Sequence, residues 1–410
     1  MSNPLVSLAD GSVTSPRGFT AGAASAGLKT DGALDVALLV SATSCATAGM
    51  FTRNAVRAAP VLYDADLLSE RPGRVRAVAM NARVANACTG APGLEAARAM
   101  AQAAEQASAL PPRTALVLST GVIGVPLPVA QVADGLRQAA ARLSTAGGIE
   151  AARAIMTTDT RPKHCAVRLD TPNGAITVGG IAKGSGMIHP DLATLLAVLT
   201  TDAIAEPATL APLLHRVVDR TFNAISVDGD TSTNDTVLLL AGGASGVDPA
   251  RDGALWVQFE EAVQLVARTL ALAIVADGEG ATKLLEIQVV GAASERAARE
   301  VGRAIARSAL VKTAIYGADP NWGRVLAAAG AAGVPLAVDR LSLQAAGDGD
   351  WITLAIAGAT AHPDPHRARA VFEQNAIRLR LDLGVGRAEA VVWTCDLTPD
   401  YIRINADYTS

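Results

Sequence analysis

The sequence predicts a layered α/β or α+β fold. Two observations carry this. Short apolar runs alternate with Ala-rich helical stretches along the whole chain, and each pattern buries its apolar side only by stacking on the other. Half of the 410 residues are hydrophobic and 18% are charged, a composition that builds packed cores and excludes a disordered chain.

In chain order, Val75–Met80 and Thr114–Leu118 read as strands, and Leu94–Leu110 between them reads as a helix entered after Pro92-Gly93. A hairpin follows. Cys165–Asp170 leads into Thr171-Pro-Asn-Gly174 and then Ala175–Ala182, with Asn173-Gly174 supplying residues that tolerate a tight turn. Val237–Leu240 is a further strand. The region around Phe259–Val275 is helical and ends at the polar break Asp277-Gly-Glu-Gly280. A strand at Leu284–Val290 and a helix at Ser294–Ala309 start a fresh series, which places a domain boundary near 280. Residues 192–199 stay open. Leu192, Leu195, Leu196 and Leu199 fit helical spacing, yet a buried strand beginning at Thr194 fits the same apolar run.

A net charge of −4 and a pI near 5.8 disfavour nucleic acid as the main partner. The longest apolar run, Val325–Val338, carries Gly330, Gly333 and Pro335 and is too short to span a bilayer. Together with a start that lacks a charged segment followed by an apolar one, this makes a soluble, cytoplasmic chain the expectation. Lys is scarce against Arg and Ala is frequent; both are composition biases and receive no functional weight. Cys45, Cys88, Cys165 and Cys395 lie far apart, so no metal or redox pair is expected, and His164 beside Cys165 does not change that.

The common catalytic motifs are absent: no phosphate loop, dinucleotide fingerprint, serine-hydrolase elbow or zinc-protease helix. Asp228–Asn234 begins like a calcium loop but has Thr233 where Gly is needed and Leu239 where Glu is needed, so a polar turn is the reading. What remains are short polar loops at the ends of apolar runs. Ser119–Gly124 follows a strand and reads either as a Gly turn or as an oxyanion-binding loop. Met156–Thr160 reads either as a helix cap or as part of a site. Lys183–Asp202 places a lone Lys beside a Gly-rich turn and then Ala193-Thr194.

Ala182–Ala203 closely resembles the cleavage-and-nucleophile motif of the ornithine acetyltransferase (ArgJ) family of arginine biosynthesis. The resemblance runs on through Phe51–Asn54, Asn86–Gly90, Ser119–Gly124, Ala154–Asp159, Ser232–Thr236, Asp277–Gly280, Leu310–Thr313, Asp319–Arg324 and Asn405–Ser410. It implies an α/β/β/α sandwich core of the self-processing N-terminal-nucleophile type, residues 1–280, with a smaller C-terminal α/β domain, 281–410.

The resemblance also implies self-cleavage between Ala193 and Thr194, giving an α chain, 1–193, and a β chain, 194–410, assembled as α2β2. It favours the strand at Thr194. Thr194 becomes the nucleophile of a ping-pong transfer of acetyl from N2-acetyl-L-ornithine to L-glutamate, with its own α-amine as base. Thr120 and Gly121 match the oxyanion-hole pair. Thr157, Lys183, Thr194, Glu279, Asn405 and Ser410 match substrate contacts, where a cation and an anion suit amino-acid substrates. His189 reads as structural, and Asp319–Arg324 receives no catalytic role. No metal or cofactor is implied, and acetyl-CoA stays open as a second acetyl donor. The alternatives are a self-cleaving amidase or aminopeptidase, marked by release of amino acids from peptides, and a non-enzymatic amino-acid-binding protein, marked by an uncut chain.

Overall fold

The computed structural model describes residues 5–189 and 195–407. The first half runs β1 (Leu5–Ser7), β2 (Phe19–Ala24), β3 (Val36–Phe51), α1 (Ala59–Glu70), β4 (Val75–Asn81), α2 (Gly90–Ala107), β5 (Ala115–Ser119), α3 (Val129–Ala140) and α4 (Gly148–Ala154). Then come β6 (Lys163–Thr171), β7 (Gly174–Lys183), β8 (Leu196–Thr201), α5 (Pro207–Asp219), β9 (Ile225–Ser226), β10 (Thr236–Ala241) and α6 (Gly253–Ala276). The rest comprises β11 (Leu284–Ala292), α7 (Glu295–Ala306), α8 (Ala309–Tyr316), α9 (Trp322–Gly330), β12 (Ser342–Ala346), β13 (Ile352–Ile356), β14 (Ala359–Thr360), α10 (Pro365–Phe372), β15 (Ala376–Asp382), β16 (Ala388–Cys395) and α11 (Pro399–Asp407).

One sheet path joins β1-β6-β7-β8-β10-β3-β4-β5, with β2 also beside β3. The 16-residue β3 links two halves of this path: its start pairs with β2 and β4, its end pairs with β10, and the register shifts between Val40 and Cys45. Alternation along the strands sorts side chains into layers. In β8 and β10, Ala197, Leu199, Val237 and Leu239 face the core shared with α5 and α6. Their neighbours Leu196, Val198, Leu238 and Leu240 pack against Val78, Met80, Leu116 and Leu118 of β4 and β5. The opposite face of β4 and β5, with Ala77, Ala79 and Val117, packs on Met100 and Ala104 of α2 and Leu136 of α3. Helices, sheet, sheet and helices therefore stack as an α/β/β/α sandwich.

The second sheet, β14-β13-β12-β15-β11-β16-β9, packs the inward side chains of β11, β12 and β15 against α7, α8, α9 and α10. Its edge strand β9 comes from the first half of the chain and pairs with β16 at Trp393 and Thr394.

Helical spacing does not describe the part of 192–199 that the structure covers: Leu196–Thr201 is a strand, parallel to β10 and antiparallel to β7, while the expected strand start at Thr194 lies outside the described residues. All of its residues are buried. A run that is apolar on both faces satisfies helical and strand templates alike. The other elements differ from their sequence expectations by a few residues at the ends, and the segment expected as one helix over 294–309 breaks at Arg307-Ser308, where Ser308 caps α8 through Val311 N–H. None of the described helices is long and apolar enough to cross a membrane.

Candidate active site

A cavity of about 330 Å³ gathers residues from distant parts of the chain: Thr120, Gly121, Thr157, Lys183, Glu279 and Asn405, with Met187 at its rim. Ala193, Thr194 and Ser410 lie outside the described residues. Lys183 is the Cα partner of Leu196, so the strand that follows Thr194 by two positions begins beside a residue lining the cavity.

Thr120 and Gly121 follow β5 directly. The Thr120 N–H is spent on Asn81 O at 3.1 Å, and Val122 N–H is spent on Arg83 O at 3.0 Å. Among the described residues nothing accepts from the Gly121 N–H. Gly121 has φ +132°, and a Cβ there would sit 2.1 Å from the Arg83 carbonyl carbon, so only glycine fits. Asn234 pins this loop to the start of β10, its Nδ2 donating to Ser119 O at 2.8 Å and to Ala85 O at 2.6 Å.

Lys183 ends β7 and is buried. Its ammonium donates to Thr120 Oγ1 at 3.3 Å and lies 4.0 Å from Asp159 Oδ2. Asp159 accepts from Lys163 Nζ at 2.6 Å, from Gly184 N–H at 2.8 Å and, through its other oxygen, from Thr157 N–H at 2.9 Å. Lys163 Nζ also reaches Asp277 Oδ2 at 2.6 Å. Burial pushes the Asp159 carboxyl up, but Lys183 and Lys163 together outweigh it and hold the group below the usual carboxylate range. Burial lowers the Lys183 pKa, against the opposing pull of Asp159, Glu279 and Asp235.

Glu279 sits in the turn after α6, with its N–H on Ser185 O at 2.9 Å. Asn405 of α11 donates to Glu279 Oε2 at 2.7 Å. A Cβ on Gly186 would lie 2.4 Å from that same oxygen, which explains glycine in the turn after Lys183. The cavity thus offers a hydroxyl and an N–H for a developing oxyanion, a buried cation and an anion.

Three residues outside the predicted set support the site. Asp159 and Lys163 hold Lys183, Thr157 and Gly184 in place. Asp235, fully buried, accepts from Leu195 N–H at 2.9 Å, while its other oxygen has no hydrogen-bond partner among the described residues; burial raises its pKa well above the ordinary value. Asp159 and Asp235 stood in quoted motifs but have the side chain of an ordinary cap, and Lys163 carried no local signal beyond the rarity of Lys. The Asp228 loop is a turn whose carboxylate accepts from Met187, Ile188 and Asp230 N–H groups, so it anchors the segment after Lys183. His164 bonds Gly11 O and His189 bonds Ser226 Oγ, both away from the cavity lining.

Residues 20–410 match the model of the ArgJ family. The chain is 47% identical over 401 residues to the arginine biosynthesis bifunctional protein ArgJ of Symbiobacterium thermophilum, covering 97% of this chain and 98% of that one. The protein of the same name from Parasynechococcus marenigrum is 45% identical over 406 residues, covering 98% of this chain and 96% of that one. A crystal structure of that protein from Bacillus halodurans shares 39% identity at a TM-score of 0.48, covering 51% of this chain and 97% of the solved one. The chain belongs to the ArgJ family.

Proposed function

We propose that this protein cuts itself between Ala193 and Thr194 and then moves an acetyl group from N2-acetyl-L-ornithine to L-glutamate in arginine biosynthesis. The observation that carries this reading is the convergence of Thr120, Gly121, Lys183, Glu279 and Asn405 on one cavity beside the start of β8. The ArgJ relatives, named for arginine biosynthesis, support the pathway.

In the precursor, Thr194 Oγ adds to the Ala193 carbonyl carbon and the peptide C–N bond breaks, leaving an ester and a free α-amine. Water opens the ester, giving the Ala193 carboxylate and restoring the Thr194 hydroxyl. An α-amine has a reference pKa of about 7.7–8.0, so near neutral pH a useful fraction is free to take the Thr194 hydroxyl proton. The hydroxyl oxygen adds to the acetyl carbonyl, whose oxygen takes the electron pair and meets Thr120 and Gly121. The amide C–N bond breaks and the proton passes to the departing ornithine nitrogen. The glutamate amine then attacks the acetyl ester by the same route and leaves as N-acetyl-L-glutamate. No metal or cofactor takes part in this scheme.

Lys183 and Glu279 supply the opposite charges that an amino acid's carboxylate and ammonium seek. Ser410 completes the substrate contacts. We assign residues 1–280 to the catalytic core and 281–410 to a C-terminal α/β domain, supported by the second sheet, whose strands other than the two-residue edge strand β9 all come from β11 onward; the mature chains form an α2β2 assembly in the cytoplasm. The word bifunctional in the relatives' name supports a second activity, and acetyl-CoA is the donor to test: matured enzyme given acetyl-CoA and glutamate alone either forms N-acetylglutamate or does not.

The test of the main reading is Thr194→Ala. The chain should stay uncut and transfer nothing; cleavage at the wild-type rate would remove Thr194 from its role.

A further inference from the structure

Thr120 has two groups to offer an oxyanion, and its N–H is already held by Asn81 O. That leaves the hydroxyl. A hydroxyl carries one proton and two lone pairs, and an ammonium donating to the oxygen forces the O–H to point elsewhere. Lys183 Nζ makes that donation at 3.3 Å from inside the protein. Lys183 itself is held by a chain of buried charges, Asp159 at 4.0 Å and then Lys163 and Asp277.

We propose that Lys183 acts in acetyl transfer through Thr120, as a positioning residue: its ammonium fixes and polarises the Thr120 hydroxyl so that the proton is donated to the oxyanion, with Asp159 as the fixed counter-ion. The proposal deepens the acetyl-transfer reading and rests on it. No proton changes hands in this contact. As Thr194 Oγ adds to the carbonyl carbon, the electron pair moves to the carbonyl oxygen, and the hydrogen bond donated to that oxygen by the Thr120 hydroxyl strengthens. Charge-assisted donors are stronger than neutral ones, and hydrogen bonds aligned in series reinforce one another. The role is distinct from binding a substrate carboxylate, because it acts in the transition state rather than the ground state.

Four matured enzymes decide the matter: wild type, Lys183→Met, Thr120→Ala and the double variant, with kcat and KM measured for acetyl transfer to glutamate. Lys183→Met should lower kcat about tenfold or more when Thr120 is present. In the Thr120→Ala background the same change should lower kcat by less than about twofold, since the group it acts on is gone. Equal losses in both backgrounds, or a loss confined to KM, would overturn the proposal.

A second readout needs no change at Lys183, in case that variant does not mature. The charged and polar groups facing Lys183 are Asp159, Lys163, Glu279, Asp235 and Thr120. Burial lowers the Lys183 pKa, so wild-type kcat should fall with rising pH from a point below the ordinary lysine range. That alkaline limb should be absent from the kcat profile of Thr120→Ala, and its persistence there would contradict the proposal. A wild-type enzyme that transfers no acetyl group overturns this proposal and the proposed function together.

Discussion

A buried ammonium is tolerated only where carboxylates or carbonyl oxygens surround it, and in this chain every lysine sits in such a place. Lys163 lies between Asp159 and Asp277, and Lys183 beside Thr120 and Asp159. Lys29 donates to Leu34 O, Lys283 to Ile315 O and Phe372 O, and Lys312 to Thr394 Oγ1 and Cys395 O. Arginine's wide planar fork does not replace a compact ammonium at such points. The scarcity of Lys, set aside as composition bias, therefore marks positions with a structural demand. Lys163→Met leaves Asp159 and Asp277 without their shared cation. It should cost about 3–5 kcal/mol of stability, read as a lower urea midpoint with an unchanged slope. A loss within about 0.5 kcal/mol, the range of an exposed surface change, would refute the pairing. Gly121→Ala meets both the strained φ and the Arg83 carbonyl. It should lower kcat by at least about 10²–10³-fold, the effect of losing one oxyanion donor. Steady-state kinetics on matured protein would check it, and wild-type turnover would rule the loop out of the chemistry.

Among the elements, β8 and α11 show what local pattern can and cannot decide. The hairpin of β6 and β7 was legible because Asn173-Gly174 punctuates two apolar runs, and Gly174 adopts φ +122°. Residues 196–201 were not, because a strand buried on both faces has no polar side to set a period. The 16-residue β3 carries Ser41, Thr43 and Ser44 at its register shift and the small residues Ala46, Ala48 and Gly49 beyond it, and such a mixed run announces neither period. For α11 the resemblance alone pointed to Asn405, and the contact that matters, with Glu279, spans 126 residues of sequence. No residue of α11 is buried. Deleting residues 399–410 should therefore shift the melting temperature by no more than a few degrees, about 1 kcal/mol for a domain of ordinary size. It should raise KM about tenfold or more by taking the Asn405 bond from Glu279. An unaltered KM would remove α11 from the site.

For the whole molecule, the two sheet faces meeting at Met80, Leu118, Val198 and Leu240 hold the Thr120–Gly121 loop after β5 against the start of β8. That long-range packing is why motifs far apart in sequence share one cavity. The layer order was reachable from the resemblance and from the alternation of apolar runs and helices. The second sheet was barely legible beyond β11 and α7, since β11 finds its partners in β15 and β16, about a hundred residues onward. The proposed acetyl transfer rests on one covalent site, Thr194. Its most direct test is the intact mass, under denaturing conditions, of protein incubated with N2-acetyl-L-ornithine and no glutamate. Two fragments are expected, 1–193 and 194–410, with one acetyl group on the second, at its Thr194. A single chain of 41.7 kDa, or a fragment 194–410 that gains no acetyl group, would contradict it.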